Sequence, residues 1–189
     1  MEDKIFQAVE FASFYHRGQF RKGTHIPYIV HPLSVMQLVA RFGGTQHMQI
    51  AALFHDLLED TSASQTDIQE NFGLEVLELV KGLTEPSFKE DKSKSWKLRK
   101  THTLENLEKQ PLEILCVSLC DKYDNLYSIE QDKIVLQEKI WQRFRASYEE
   151  QKCYYLNLAK IFTNRLQNSN LDFLLLSKEF EKLCNKLFI

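Results

Sequence analysis

With 189 residues, 43% of them apolar and 26% charged, the chain is long enough for one domain with a real core and too short for a second full one. Six glycines and four prolines are too few punctuators for a sandwich or barrel of many short strands, so a mostly helical, all-α domain is expected. A net charge of −2 argues against the broad basic face of a nucleic-acid binder, and no apolar run approaches the ~20 residues needed to cross a bilayer.

Apolar residues at helical spacing place a first helix over 3–16, followed by a basic, Gly-containing turn over 17–28. A second helix is expected over 31–44, with Pro32 in its first turn and Gly43-Gly44 at its end. A third, over 47–61, is apolar almost all round and so is expected to be central. Residues 64–84 predict a short helix capped near Thr66, a break at Gly73 and a further helix from about Leu74. The polar stretch 85–95 has no apolar period and reads as a mobile loop, a candidate lid. Helices follow over 96–109, 111–129, about 136–167 with a break, and 171–188. The segment 111–129 alternates like a strand around Leu115, Val117 and Leu119, but its length favours a buried helix. Residues 1–189 read as one domain.

The four cysteines, Cys116, Cys120, Cys153 and Cys184, form no C-x-x-C pair. With no secretory signal, buried reduced thiols and a cytoplasmic location are expected.

The stretch "ALFHDLLEDT" (52–61) carries the chemistry. It sets His55, Asp56, Glu59 and Asp60 among Leu53, Phe54, Leu57 and Leu58, and polar groups that dense in an apolar segment need compensation. On a continuous helix His55 and Glu59 are four apart, as are Asp56 and Asp60, so all four project from one face. On the dipeptide His-Asp alone, a solvated polar run near a helix end is the simpler reading. Two distant residues change that. His31 stands in the apolar setting "YIVHPL", and Asp121 directly follows the apolar run 114–119. Two imidazoles and two carboxylates suit Mn²⁺ or Fe²⁺ and accept Zn²⁺, whereas Mg²⁺ prefers all-oxygen sets. His16, His25, His47 and His102 are expected at the surface or in loops.

The ordered pattern H…HD…D resembles that of the HD-domain phosphohydrolases. The blocks "RKGTHIPYIVHPLSV", "AALFHDLLEDT", "FGLEVLELVKGLT" and "SLCDKYDNL" are similar to the hydrolase domain of the RelA/SpoT alarmone enzymes, over roughly residues 4 to 166. With no synthetase domain attached, the chain resembles the small stand-alone alarmone hydrolases of the Mesh type.

The resemblance implies an all-α HD-domain bundle with His31, His55, Asp56 and Asp121 as metal ligands and Mn²⁺ as the usual ion. It implies that Glu59 and Asp60 position or activate the attacking water. Arg21 and Lys22 would border the nucleotide pocket, Asn125 would contact the nucleotide, and Arg99 would lie near the phosphates. Trp141 and Tyr148 fall where the branch places aromatics near the base or sugar, although 128–140 is several residues longer here. The implied substrate is guanosine tetra- or pentaphosphate, losing its 3′-pyrophosphate. The alternatives are a hydrolase of the same fold acting on NADPH or a nucleoside phosphate, and a nucleotide-binding module with a disabled site. Neither nucleic acid nor a membrane is expected as a partner.

Overall fold

The computed structural model describes residues 2–85, 96–167 and 171–189. Among these, the chain folds into helices and no strand occurs, as its scarcity of turn residues predicts. The order is α1 (Glu2–Tyr15), α2 (Val30–Arg41), α3 (Gln46–Phe54), α4 (Leu57–Asp60), α5 (Gln65–Phe72), α6 (Leu74–Leu83), α7 (Trp96–Leu107) and α8 (Leu112–Leu136). A 3-10 helix (Gln137–Arg143), α9 (Tyr148–Leu166) and α10 (Leu171–Phe188) complete it. Most of the polar stretch expected as a loop, 86–95, lies outside the described residues.

Local chemistry explains several boundaries. The cap of α5 is Ser64, two residues before Thr66, because Ser64 forms a capping box. Its Oγ accepts from the Asp67 amide at 3.1 Å, and Asp67 Oδ2 accepts from the Ser64 amide at 2.8 Å. A second capping box, Ser147 with Glu150, starts α9 and separates it from the 3-10 helix, which accounts for the break expected in 136–167. Gly73 divides α5 from α6 at φ 92°, a backbone conformation that only glycine adopts without strain.

The segment with strand-like alternation is the 25-residue helix α8. Its residues 114–121 are all buried. A helix buried on every side loses its 3.6-residue signature, so periodicity could not identify it. α8 packs on Leu158 and Phe162 of α9 and on Phe173, Leu176 and Phe180 of α10 in one apolar cluster. A second cluster joins Ala8 and Ala12 of α1 to Leu53, Phe54, Leu57, Ile68, Val76 and Val80.

α3 lies between the two clusters: Met48 and Ala52 face the first, Ile50, Leu53 and Phe54 the second. Phe54 is fully buried, its ring 5.2 Å from Phe11 and 4.7 Å from Phe72. Burying such a side chain contributes about 1.5–3 kcal/mol. The end of α3, where the polar residues begin, is therefore held in place from both sides.

All four cysteines are free thiols; Cys116, Cys120 and Cys184 are buried, but Cys153 is exposed on α9, contrary to expectation. No helix among the described residues is long and apolar enough to cross a membrane.

Candidate functional site

The helix expected to run unbroken over 47–61 is interrupted at His55-Asp56. His55 turns its Nδ1 back onto the Ala52 carbonyl at 2.7 Å. It thereby takes the acceptor that a continuous helix would give to the amide of residue 56. Asp56 adopts φ −104°, ψ −3°, and four residues later the chain has made the short helix α4. The single polar face deduced from an unbroken helix is thus replaced by a corner. His55 and Asp56 sit at the corner itself, with Glu59 and Asp60 on the turn beyond.

Three elements converge there. His31 comes from the first turn of α2, His55 and Asp56 from the corner, and Asp121 from the middle of α8. Donor atoms of His31, His55 and Asp56 all lie within 4.8 Å of one another. Asp121 Oδ1 stands 3.1 Å from His31 Nε2 and 3.7 Å from His55 Nε2. His31, His55 and Asp121 are 2%, 5% and 7% exposed, so the cluster is shut off from bulk water on most sides.

The hydrogen bonds leave the ligating atoms facing inward. His31 Nδ1 is bonded to Asp124 Oδ2 at 2.7 Å, which turns Nε2 toward Asp121. The bond from His55 Nδ1 to the Ala52 carbonyl likewise fixes its proton on Nδ1. His55 Nε2 is 2.9 Å from Asp56 Oδ2 yet makes no aligned hydrogen bond, and it counts among the buried polar atoms without a partner. A buried imidazole nitrogen facing carboxylate oxygens is satisfied either by a proton or by a cation that these atoms share.

The electrostatics agree. Burial works to raise the Asp56 carboxyl, but the adjacent His55 imidazole outweighs it and holds the group well below its usual range. Burial opposes ionisation of Asp121 too, and Lys122, at 2.6 Å from Oδ2, with His31 and His55 prevails. Burial would lower His55, yet Asp56 and Asp121 drive it up to about 9 when no cation is present. Two ionised carboxylates and two imidazoles, one nitrogen of which lacks a partner, fit a divalent cation. The tyrosine hydroxyl of Tyr28 donates to Asp56 Oδ2.

Glu59 is exposed as a residue, but its carboxylate is drawn in to accept the Glu85 amide. Burial of that carboxylate is the main cause that raises it to about 7; the Glu85 amide and Lys122 oppose, and the charges of Asp56 and Glu85 add. A cation in the ligand cluster acts in the opposite direction on both Glu59 and His55. Asp60 is also raised, by burial first and then by Asp56, while His55 opposes. Glu85 in turn is held by Lys100 at 2.6 Å and Thr103 at 2.9 Å, both on α7.

Beside the cluster opens a cavity of about 390 Å³, lined among others by Arg21, Lys22, Tyr28, His31, Asp124 and Asn125. Arg21 donates to Asn125 Oδ1 at 3.0 Å, and Asn125 Nδ2 donates to Asp121 Oδ1 at 2.6 Å. The basic turn is thereby tied to the ligand cluster through one amide. Gly23, at φ 71°, lets that turn close over Arg143: a Cβ there would come within 2.9 Å of Arg143 Nε. Arg143, paired with Asp132, and Phe144 form the cavity's far wall.

Three residues expected at the nucleotide lie elsewhere. Trp141 and Tyr148 do not line this cavity; their rings pack on each other at 5.0 Å and on Phe188 of α10. Arg99 does not line it either, and on α7 it is the next residue, Lys100, that reaches the site through Glu85.

A family model described as HD domain matches residues 8–149, well over half of the chain. The chain belongs to the HD-domain family. Its curated relatives include MESH1 of Drosophila melanogaster, a guanosine-3′,5′-bis(diphosphate) 3′-pyrophosphohydrolase, 33% identical over 130 residues that make up 67% of this chain and 70% of that protein. A protein of the same enzyme name from Aquifex aeolicus is 35% identical over 67% of this chain but only 18% of its own length. This HD-domain chain thus spans about a fifth of the length of the first curated relatives it matches, for example 19% of the one from Borreliella burgdorferi. Two solved structures share the fold. A Listeria monocytogenes protein superposes with a TM-score of 0.74 at 32% identity, covering 84% of this chain and 98% of its own. A metazoan SpoT ortholog that hydrolyses ppGpp does so with a TM-score of 0.74 at 26% identity, covering 98% and 97%.

Several groups of this HD-domain site escaped the sequence reading. Tyr28 was visible only as one more aromatic in "IPYIVH", and Lys122 as one more charge beside Asp121. Asp124 carried a better signal: three residues after Asp121 on a helix, it faces the same way. A carboxylate bonded to the far nitrogen of a ligating histidine fixes the ring and raises its basicity. Asp124→Asn is therefore expected to weaken divalent-metal affinity about 10–100-fold. Titration calorimetry with Mn²⁺ would detect this, and an unchanged affinity would remove Asp124 from the metal site.

Proposed function

We propose that this chain is a metal-dependent hydrolase that removes the 3′-pyrophosphate from guanosine tetra- or pentaphosphate, giving GDP or GTP. The observation that carries this reading is the group of His31, His55 and Asp56 donor atoms within 4.8 Å of one another, with Asp121 Oδ1 beside both imidazoles, next to a cavity lined by Arg21, Lys22 and Asn125. Relationship to MESH1 over most of that protein's length supports the choice of substrate. We read the metal as Mn²⁺, with Fe²⁺ and Zn²⁺ as alternatives, from the mixed nitrogen and oxygen donors. The same reading takes residues 1–189 as one domain and, from its reduced cysteines, places it in the cytoplasm.

When bound, a divalent cation lowers the pKa of a coordinated water and polarises a phosphoryl oxygen. The chain's residues do the rest. His31, His55, Asp56 and Asp121 would hold the cation, their two carboxylates supplying negative charge to the site. Glu59, with its carboxylate tucked beside the corner, takes the proton from the attacking water. Asp60, on the same turn, orients that water or a second one. Arg21 brings its fork, and Lys22 a mobile point charge, to the phosphates at the cavity mouth. Asn125 links Arg21 to Asp121, so phosphate binding and metal binding share one hydrogen-bond chain. Arg99, Trp141 and Tyr148 have weaker support as substrate contacts, given their places outside the cavity lining. A disabled binding module is disfavoured by the intact ligand set and the intact Glu59-Asp60 pair.

The test is pyrophosphate release from a panel of nucleotides by purified, Mn²⁺-loaded protein. Guanosine tetraphosphate should be cleaved and chelation should stop the reaction. Metal-loaded protein that leaves the alarmone intact and cleaves NADPH instead would replace this reading with a different nucleotide substrate.

A further inference from the structure

His16 is buried, 3% exposed, where the sequence reading expects a surface or loop histidine. It follows the last residue of α1, and its ring lies 4.8 Å from that of Tyr28, the residue that donates to Asp56. Its Nδ1 is 2.7 Å from Gln19 Oε1, while Gln19 Nε2 donates to the Asp60 carbonyl at 2.8 Å. An amide whose nitrogen is committed to a carbonyl has only its oxygen left for the imidazole, so Nδ1 carries the proton. Nε2 is then a buried lone pair without a hydrogen-bond partner among the described residues. A leucine would fill the same space without isolating a polar atom, so packing alone does not account for the histidine.

Gln19 is a junction in a second direction. Its backbone carbonyl accepts the Tyr28 amide at 2.9 Å, and its own amide bonds to the His16 carbonyl at 3.1 Å. The turn between α1 and α2 therefore touches both ends of the corner segment: Asp56 through Tyr28, and Asp60 through the Gln19 side chain. α4 is a single turn, Leu57–Asp60, and the carbonyls at the end of a helix have no partner within it. The Gln19 amide supplies one for Asp60.

We infer that His16 is a positioning residue for Asp60: it fixes the Gln19 amide that holds the end of α4, and so sets where the Asp60 carboxylate stands beside Asp56 and His55. The kinetic side of this inference rests on the hydrolase reading above; the structural side does not. Three substitutions separate the elements of the bracket. Asn at position 16 places an amide nitrogen near the site of Nδ1 and still donates to Gln19. Leu at position 16 fills the space with no donor, and Gln19→Met keeps the chain length with neither donor nor acceptor.

His16→Leu and Gln19→Met should each lower kcat on guanosine tetraphosphate about tenfold or more, the scale of a small misplacement at a reacting centre. KM and bound Mn²⁺ should stay within about twofold of the wild type. His16→Asn should recover most of the lost kcat, a rescue that a merely space-filling role would not produce. Amide hydrogen exchange over 57–61 should accelerate in His16→Leu and Gln19→Met, return toward wild type in His16→Asn, and stay unchanged in α8. Gln19→Met with wild-type kcat and wild-type exchange would overturn the inference, as would His16→Asn as impaired as His16→Leu. A wild-type protein inert toward every nucleotide would sink the hydrolase reading, and the exchange measurements would then decide the bracket alone.

Discussion

Replacing Asp56 with alanine is expected to remove bound metal and hydrolysis together, with the helices left in place. The side chain does three things at the corner: it faces His55 Nε2 at 2.9 Å, accepts the Tyr28 hydroxyl and offers a carboxylate to the cation. It makes no side-chain cap to α4, so the helix start does not depend on it. Its loss leaves three ligands, and the negative charge that favours a cation falls by one. Lewis-acid stabilisation by a bound metal is worth several kcal/mol, so loss of the ion corresponds to about 10³-fold or more in rate. Metal content by elemental analysis and pyrophosphate release should fall in parallel, while far-ultraviolet circular dichroism stays helical. A variant that keeps one equivalent of Mn²⁺ and ordinary turnover would show that Asp56 is not a ligand.

The cluster of His31, His55, Asp56 and Asp121 was legible because burial restricts residue types more than position. A buried histidine or aspartate needs a partner wherever it stands in the chain, so His31 and Asp121 could be matched to His55-Asp56 across ninety residues. Helical content was legible too, from the period of apolar residues and the scarcity of glycine and proline. The corner at His55 was not. It is made by one side chain taking one carbonyl, and a hydrophobic period carries no trace of that bond.

The placements around the cavity that the sequence did not disclose have a similar origin. His16 looks like a surface residue because it closes a helix before a basic turn, and its burial depends on Tyr28 arriving from the far side of that turn. Trp141 and Tyr148 meet the C-terminal helix through Phe188, a contact distant in sequence that no local pattern announces. On α7 the choice between Arg99 and Lys100 is a rotation of 100° about the helix, which tertiary packing alone decides. The sequence thus discloses chemistry that needs compensation, and hides geometry that depends on which faces meet.

Glu59→Gln should separate catalysis from metal binding. Glutamine has the shape of glutamate, and its side-chain oxygen can still accept the Glu85 amide. It cannot take a proton from water. Removing a general base from such a site costs typically 10²–10⁴-fold in rate, so kcat should fall by about that factor. KM should move little, because Glu59 is not among the residues lining the cavity. Bound metal should be retained, because the substitution leaves His31, His55, Asp56 and Asp121, the proposed ligands, untouched, and Asp60→Asn is the matched control on the same turn. Asp60 stands close to the site as well, so the two variants assign the roles by comparison. If Glu59→Gln retains turnover and Asp60→Asn loses it, Asp60 is the base and Glu59 the orienting group. If both lose kcat while keeping metal, the two carboxylates act as a unit, and the double variant should be no slower than the slower single one, since groups that act together are lost only once.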